Sequence, residues 1–267
     1  MKEVKAKTII TPSKIPGADF VINPYAGCLH SCVYCYAQFM KRFLNEPTEW
    51  GKFCYPKINA VELFTKEIKK IPERSSIMFS SVTDAYNPLE RKYELTRKIL
   101  ETLIDYNMDV SILTKSDLVL RDLDILKKIK QIEVGFTITT INEKFQKILE
   151  PGASSPQKRI EVLKILKQSG INTFAFIGPI LPYFTDLENI FKELSGIVEY
   201  IFVDTFNTKG ANWDGVINVL KKYFPNLIEK YKEIYSDVKN YRKYVSDLKI
   251  IIQELGKKYN VFVRMVF

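Results

Sequence analysis

The chain is short of histidine: His30 stands alone among 267 residues. A single imidazole excludes metal centres and catalytic pairs that need two, and leaves one partner for any nucleophile. Long apolar runs are missing too, and none approaches the roughly 20 residues of a membrane helix. The opening stretch, MKEVKAKTIITPSKIPG, holds no apolar core of a secretion signal. These absences lead to the expectation of a cytoplasmic protein with no membrane partner. Internal repeats, low-complexity tracts and long linkers are also lacking. What is present, 46% apolar and 27% charged residues, is an ordinary globular composition and excludes a disordered or collagen-like chain. The length is ample to bury a core.

Arginine is scarce as well. Of 40 basic residues only 8 are arginine, so lysine carries most of a net charge of +9. One reading is the lysine-rich charged surface of a thermophile. The other is attraction to nucleic acid or another polyanion. Residues 221–267 hold eleven basic and five acidic residues, so +6 of the excess is C-terminal. That concentration suits a local patch with nucleic acid as one candidate partner, and leaves a protein or small-metabolite substrate open. Tyrosines in the same region (Tyr223, Tyr231, Tyr235, Tyr241, Tyr244, Tyr259) could stack on bases. The i+4 spacing of Tyr231/Tyr235 and the i+3 spacing of Tyr241/Tyr244 favour packing for most of them.

Short β-branched runs alternate with stretches of helical period. Strands are expected over 19–25, 77–82, 109–114, 132–139, 171–178 and 199–204. Helices are expected over 59–70, 92–106, 118–130, 142–149, 156–169 and 186–197, with Asp186 as an N-cap and Gly170 as a helix stop. This alternation implies βαβ units, a parallel sheet, and all strand C-termini on one edge. Six strands suit an α/β fold of the partial (β/α)6 TIM type rather than a closed eight-stranded barrel. From about 210 the pattern becomes almost wholly helical. Val245, Leu248, Ile251, Ile252 and Leu255 share a helical face, and a short strand over 261–267 ends the chain. The expected organisation is an N-terminal arm (1–18), the partial barrel (19–209) and a C-terminal helical extension packed on it (210–267).

Three of the four cysteines crowd into Gly27-Cys28-Leu29-His30-Ser31-Cys32-Val33-Tyr34-Cys35-Tyr36, spaced C-x3-C-x2-C. A disulfide framework spreads its cysteines along a small secreted domain, so this crowding points to a metal or cluster. Three thiolates from one loop can reach three irons of a cubane [4Fe–4S] cluster and leave the fourth iron open to a small molecule. A zinc site completed by His30 or Cys54 is the alternative, although structural zinc usually draws paired cysteines from two segments.

This motif, with its aromatic residue before the last cysteine, resembles the signature of the radical S-adenosylmethionine (SAM) superfamily. The blocks NPYAGCLHSCVYCYA, SSVTDAYNPLE, LTKSDLVLRDLDIL and ITT…ILEPGASSPQKRIEVL are similar to the spore photoproduct lyase-like branch, over roughly residues 20–205. The resemblance implies an enzyme that binds a [4Fe–4S] cluster and SAM. It would take an electron from a ferredoxin- or flavodoxin-type donor and use a 5′-deoxyadenosyl radical to abstract hydrogen from a substrate. The competing function is a non-catalytic iron–sulfur or zinc protein that binds nucleic acid.

Carried over residue by residue, the resemblance makes Cys28, Cys32 and Cys35 the cluster ligands and sets Tyr34 near the adenine. Thr83 and Asp84 would approach the SAM amino group, and Lys115 its carboxylate. Thr137 and Thr139, read as one face of a strand, would meet the ribose hydroxyls. Ile177, Gly178 and Pro179 would frame the adenine, and Arg159 is a further carboxylate candidate. One departure concerns the reaction. Where the lyase has a hydrogen-donating cysteine just before its Ser–Asp pair, this chain has Ser81, whose O–H bond is too strong for that task. Thymine-dimer repair by the lyase's route is therefore not expected. Cys54, the one spare thiol, is the candidate for a replacement donor, and Tyr36, Tyr86 and Tyr25, in or near the motif blocks, could relay radicals.

Overall fold

The computed structural model describes residues 2–208 and 211–267. Ten strands form: β1 (Ile10–Pro12), β2 (Phe20–Ile22), β3 (Tyr25–Gly27), β4 (Cys54–Pro56), β5 (Ser76–Phe79), β6 (Asp109–Thr114), β7 (Gln131–Thr137), β8 (Asn172–Ile180), β9 (Tyr200–Thr205) and β10 (Phe262–Met265). Eight make one sheet in the order β1-β2-β5-β6-β7-β8-β9-β10, and β3 pairs with β4 alone. Strands β2 and β5 to β10 are parallel; β1 joins the edge antiparallel to β2. The two ends of the sheet do not pair with each other among the described residues.

Period-two patterning decides which face is covered. Along β6 and β9 buried residues alternate with half-exposed ones. Ile77, Val110, Ile112, Val134, Ile177 and Val203 face one way and join one core with Ile99, Leu163, Leu166 and Phe191 of the crossover helices. Met78, Ser111, Glu133, Phe176, Tyr200 and Phe202 face the other way and remain half-exposed.

The helices follow local chemistry. Asp186 caps Leu187–Leu194 by accepting from Asn189 N–H (3.1 Å), as expected. The stretch 92–106 divides at Glu94, which is left-handed (φ 52°), because the buried Glu90 carboxylate caps the second helix at Thr96 N–H (3.0 Å) and Arg97 N–H (3.2 Å). The stretch expected as a helix over 118–130 is instead a 3-10 turn (Asp117–Asp122) and one α turn (Leu123–Leu126). Ser116 caps it at Leu118 N–H, and Arg97 and Arg121 pin Asp122.

The strand expected over 19–25 divides into β2 and β3, which lie in different sheets, and the one expected over 77–82 ends at Phe79; two further strand ends also differ from expectation. β7 stops at Thr137, so Thr139 lies in the following loop rather than on a strand face. β8 runs on to Ile180 through a cis Gly178–Pro179 bond and a register irregularity, so these residues sit inside the strand. In the long helix Val238–Lys258, Leu248, Ile252 and Leu255 are buried, whereas Ile251 is 44% exposed and lies off that face. β10 then returns beside β9 as the seventh parallel strand. The expected boundary at 209/210 lies outside the described residues. Among the described residues no helix is long and apolar enough to cross a membrane.

Candidate functional site

The cysteine loop leaves β3 at Gly27 and is gripped by segments distant in sequence. Val33 N–H donates to Leu149 O (2.9 Å), and Gly152 N–H donates to His30 O (3.0 Å). A Cβ on Gly152 would stand 2.2 Å from Leu29 O, and one on Gly215 would stand 2.1 Å from Val33 O. Only glycine permits these two backbone approaches. The loop after one crossover and the first C-terminal helix thus clamp the same short run.

Cys28 and Cys32 are buried, Cys35 is half-buried, and none is in a disulfide. Burial pushes all three thiols up: Cys32 to about 12, against the pull of Lys115, and Cys28 well above its ordinary value, with help from Asp84 and Cys32. Left alone these are neutral thiols. A strongly cationic group among them would reverse that balance and hold them as thiolates. Among the described residues no three His, Cys, Asp or Glu side chains converge on one ion. The two possible fourth zinc ligands have other polar neighbours. His30 Nδ1 lies 3.2 Å from Asp84 Oδ2, and Cys54 Sγ donates to Gly27 O (3.4 Å) and Asn87 Oδ1 (3.5 Å). The donor set therefore fits an extended cluster better than a single metal ion.

The loop after β5 braces the cysteines from the side. Thr83 Oγ1 donates to Gly27 O (2.6 Å). Asp84 is buried and accepts from Thr114 Oγ1 (2.7 Å), Lys115 N–H (2.9 Å) and Tyr86 N–H (2.9 Å). Burial alone would raise its pKa; His30, Thr114 and Tyr86 N–H outweigh burial and hold the carboxyl below its ordinary range.

Lys115 follows β6, with its Nζ 5.9 Å from the Tyr34 ring centroid. Burial disfavours its charge, but Cys32, Glu150 and Asp84 raise its pKa. Its ammonium makes no ion pair among the described residues. Tyr34 donates to Glu150, and its hydroxyl meets Thr139 Oγ1 (3.1 Å). Thr139 in turn donates to Gly178 O (3.3 Å). Glu150 pairs with Arg159, and both are buried. Arg159 also donates to Ser154 O (2.8 Å) and Thr137 O (2.9 Å), so its guanidinium is consumed as an internal brace. Glu150 was not singled out from sequence; the one available signal was an acid at a Pro-Gly turn inside a motif block.

The other candidates separate. Tyr36 is 59% exposed and its hydroxyl donates to Ser81 O, while Ser81 Oγ accepts from Asn23 (3.2 Å). Cys54 is buried with its pKa up to about 12, raised by burial and then Asp84. Tyr25 and Tyr86 are fully buried. Ile177 packs into the helix-side core. Of the C-terminal tyrosines, Tyr231 is fully buried, and Tyr235 packs against Phe206, Trp213, Tyr241 and Tyr244.

A family model described as the radical SAM superfamily matches residues 22–194. An uncharacterised protein of Methanocaldococcus jannaschii is 40% identical over 256 residues, covering 96% of this chain and 93% of its own. A radical SAM Nalpha-GlyT isomerase of Pseudomonas phage M6 is 24% identical over 221 residues, covering 80% of this chain and 45% of its own. A solved spore photoproduct lyase complexed with dinucleoside spore photoproduct superimposes with a TM-score of 0.70 at 16% identity, covering 98% of this chain and 81% of that one.

Proposed function

Because this chain belongs to the radical SAM superfamily and is a radical SAM enzyme, we propose that Cys28, Cys32 and Cys35 hold a [4Fe–4S] cluster whose fourth iron binds SAM. The observation that carries this is two buried thiols and one half-buried thiol at one strand edge beside the Lys115 ammonium, which makes no ion pair among the described residues. When bound, cluster and SAM supply one-electron chemistry that ends in hydrogen abstraction from a substrate. The electron comes from a ferredoxin- or flavodoxin-type donor.

The chain's own residues bind and orient. Lys115 takes the SAM carboxylate, and Asp84, fixed by three donors, keeps its negative charge toward the amino group. Thr137 and Thr139 take the ribose, and Tyr34, Gly178 and Pro179 frame the adenine. Arg159 acts through Glu150 and Tyr34 rather than on SAM. The substrate is nucleic acid, supported by the net +9 charge and its C-terminal concentration. The likeness to a lyase solved with a dinucleoside points the same way. With Ser81 in place of a cysteine, Tyr36, whose hydroxyl meets Ser81 O, is the hydrogen-donor candidate at the mouth.

Anaerobic reconstitution with iron and sulfide, then low-temperature EPR with and without SAM, tests the reading. A reduced-cluster signal that changes on adding SAM, with 5′-deoxyadenosine formed under dithionite, is expected. A cluster blind to SAM, or stoichiometric zinc in its place, would overturn it.

A further inference from the structure

The sheet face without helices carries a feature that the cofactor site does not use. A solvated sheet face is ordinarily polar. From β7 to β10 this one is aromatic. Register places Thr137, Phe176, Phe202 and Arg264 side by side in one transverse row. Lys115, one residue past the Thr114–Phe136 pair, begins that row. The row below it contains Gly135, Phe174, Tyr200 and Phe262. At strand spacing, Lys115 and Arg264 stand about 19 Å apart across the sheet.

The rings are held in place. Phe174 and Tyr200 stack at 5.3 Å and 9°, Phe202 meets Tyr200 edge-on at 5.1 Å, and Tyr200 donates to Glu133 (2.6 Å). The Arg264 guanidinium lies 4.9 Å from the Tyr200 centroid, 5.7 Å from Phe202 and 5.6 Å from Phe262. Arg264 is exposed and makes no ion pair among the described residues. A guanidinium laid on rings keeps its N–H edge free for a bidentate anion. Phe176, Tyr200 and Phe202 are half-exposed, and Phe262 is 63% exposed. An apolar patch of this kind on an otherwise soluble-type surface marks a binding face.

We propose that the row from Phe176 through Phe202 to Arg264 is the substrate platform, on which a single-stranded nucleic-acid segment stacks its bases while Arg264 takes a backbone phosphate. The inference rests on the function proposed above and names where that substrate lies. A run of rings ends in the Arg264 guanidinium, which complements a planar base joined to an anion. An acidic aromatic peptide shares part of that chemistry. The nucleic acid is favoured by the +6 charge of residues 221–267, the segment that supplies β10. The row begins at the lysine assigned to SAM, so a base on Phe176 lies next to the reacting edge.

The test is fluorescence anisotropy of the cluster-reconstituted protein with a short labelled oligothymidylate, at low and physiological salt. R264Q should weaken binding and reduce the salt slope by about 0.7, the loss of one phosphate contact on a single strand. F202L should weaken binding about tenfold with the slope unchanged, and F202Y should restore it. Circular dichroism melting of each variant separates these effects from misfolding. Unchanged affinity in both folded variants overturns the proposal. So does stronger competition by an acidic aromatic peptide than by unlabelled oligonucleotide. A SAM-responsive EPR signal alongside any of these outcomes removes the platform and leaves the enzyme reading standing; a cluster blind to SAM with normal oligonucleotide binding does the reverse.

Discussion

Glu150→Gln should unfold this protein far more easily than its single-atom change suggests. Glu150 and Arg159 are 1% and 0% exposed, so water cannot screen a charge left behind. Removing one member of a buried pair costs about 3–5 kcal/mol, because the remaining charge stays desolvated. That is a large part of the roughly 5–15 kcal/mol that holds a domain folded. With a urea m-value of about 3 kcal/mol/M for a chain of this size, the midpoint should fall by about 1–1.7 M. The second arm of the cycle is R159M in the E150Q background. It removes the stranded charge, so the double variant should be more stable than E150Q alone, with a coupling energy of about 1–3 kcal/mol. Equilibrium urea unfolding of the reduced protein, followed by far-ultraviolet circular dichroism, measures both. A loss below about 1 kcal/mol for E150Q, or strictly additive effects, would refute the view of this pair as the desolvated brace behind Tyr34.

Three further outcomes follow from the same geometry. Lys115→Met should retain the cluster but weaken SAM binding about 10- to 100-fold, the worth of one charge-assisted hydrogen bond, read from a SAM titration of the EPR signal; equal SAM affinity would remove Lys115 from the site. Gly152→Ala places a methyl 2.2 Å from Leu29 O and should cost roughly 1–3 kcal/mol and lower iron content per chain; an unchanged melting curve and iron content would show that the clamp is slack. Glu46 is held down to about 2 from 4.5 by Thr48 and Tyr55. A depressed carboxyl stabilises above its unfolded pKa and loses that contribution as pH falls, here between about 4.5 and 2. E46Q should therefore flatten the acid limb of a stability–pH profile, and a profile parallel to wild type would exclude the contribution.

Much of the site was legible because its signal is local. Cys28, Cys32 and Cys35 lie within one loop, and three thiols at that spacing have few chemical uses. The β6 strand was legible because alternation over six residues is a strong period-two signal. Other features needed partners outside their own segment. Arg159 reads as a free cation in sequence, but the fold gives it Glu150, Thr137 O and Ser154 O, and no ligand is left to find. The 118–130 stretch has helical periodicity, yet buried Asp122, drawn by Arg97 and Arg121, holds a tighter turn.

The sequence alone determined the radical SAM resemblance and the α/β architecture, because both depend on patterns within short segments: thiols three and four residues apart, and apolar residues two or nearly four apart. Tertiary structure decided which charges are spent and which are available. Asp84 and Arg159 are absorbed by neighbours on other elements, whereas Lys115 and Arg264 make no ion pair among the described residues. Sheet register alone brought Lys115, Phe176, Phe202 and Arg264 into one row. Pairing between strands is a property of the folded sheet, and no single segment encodes it.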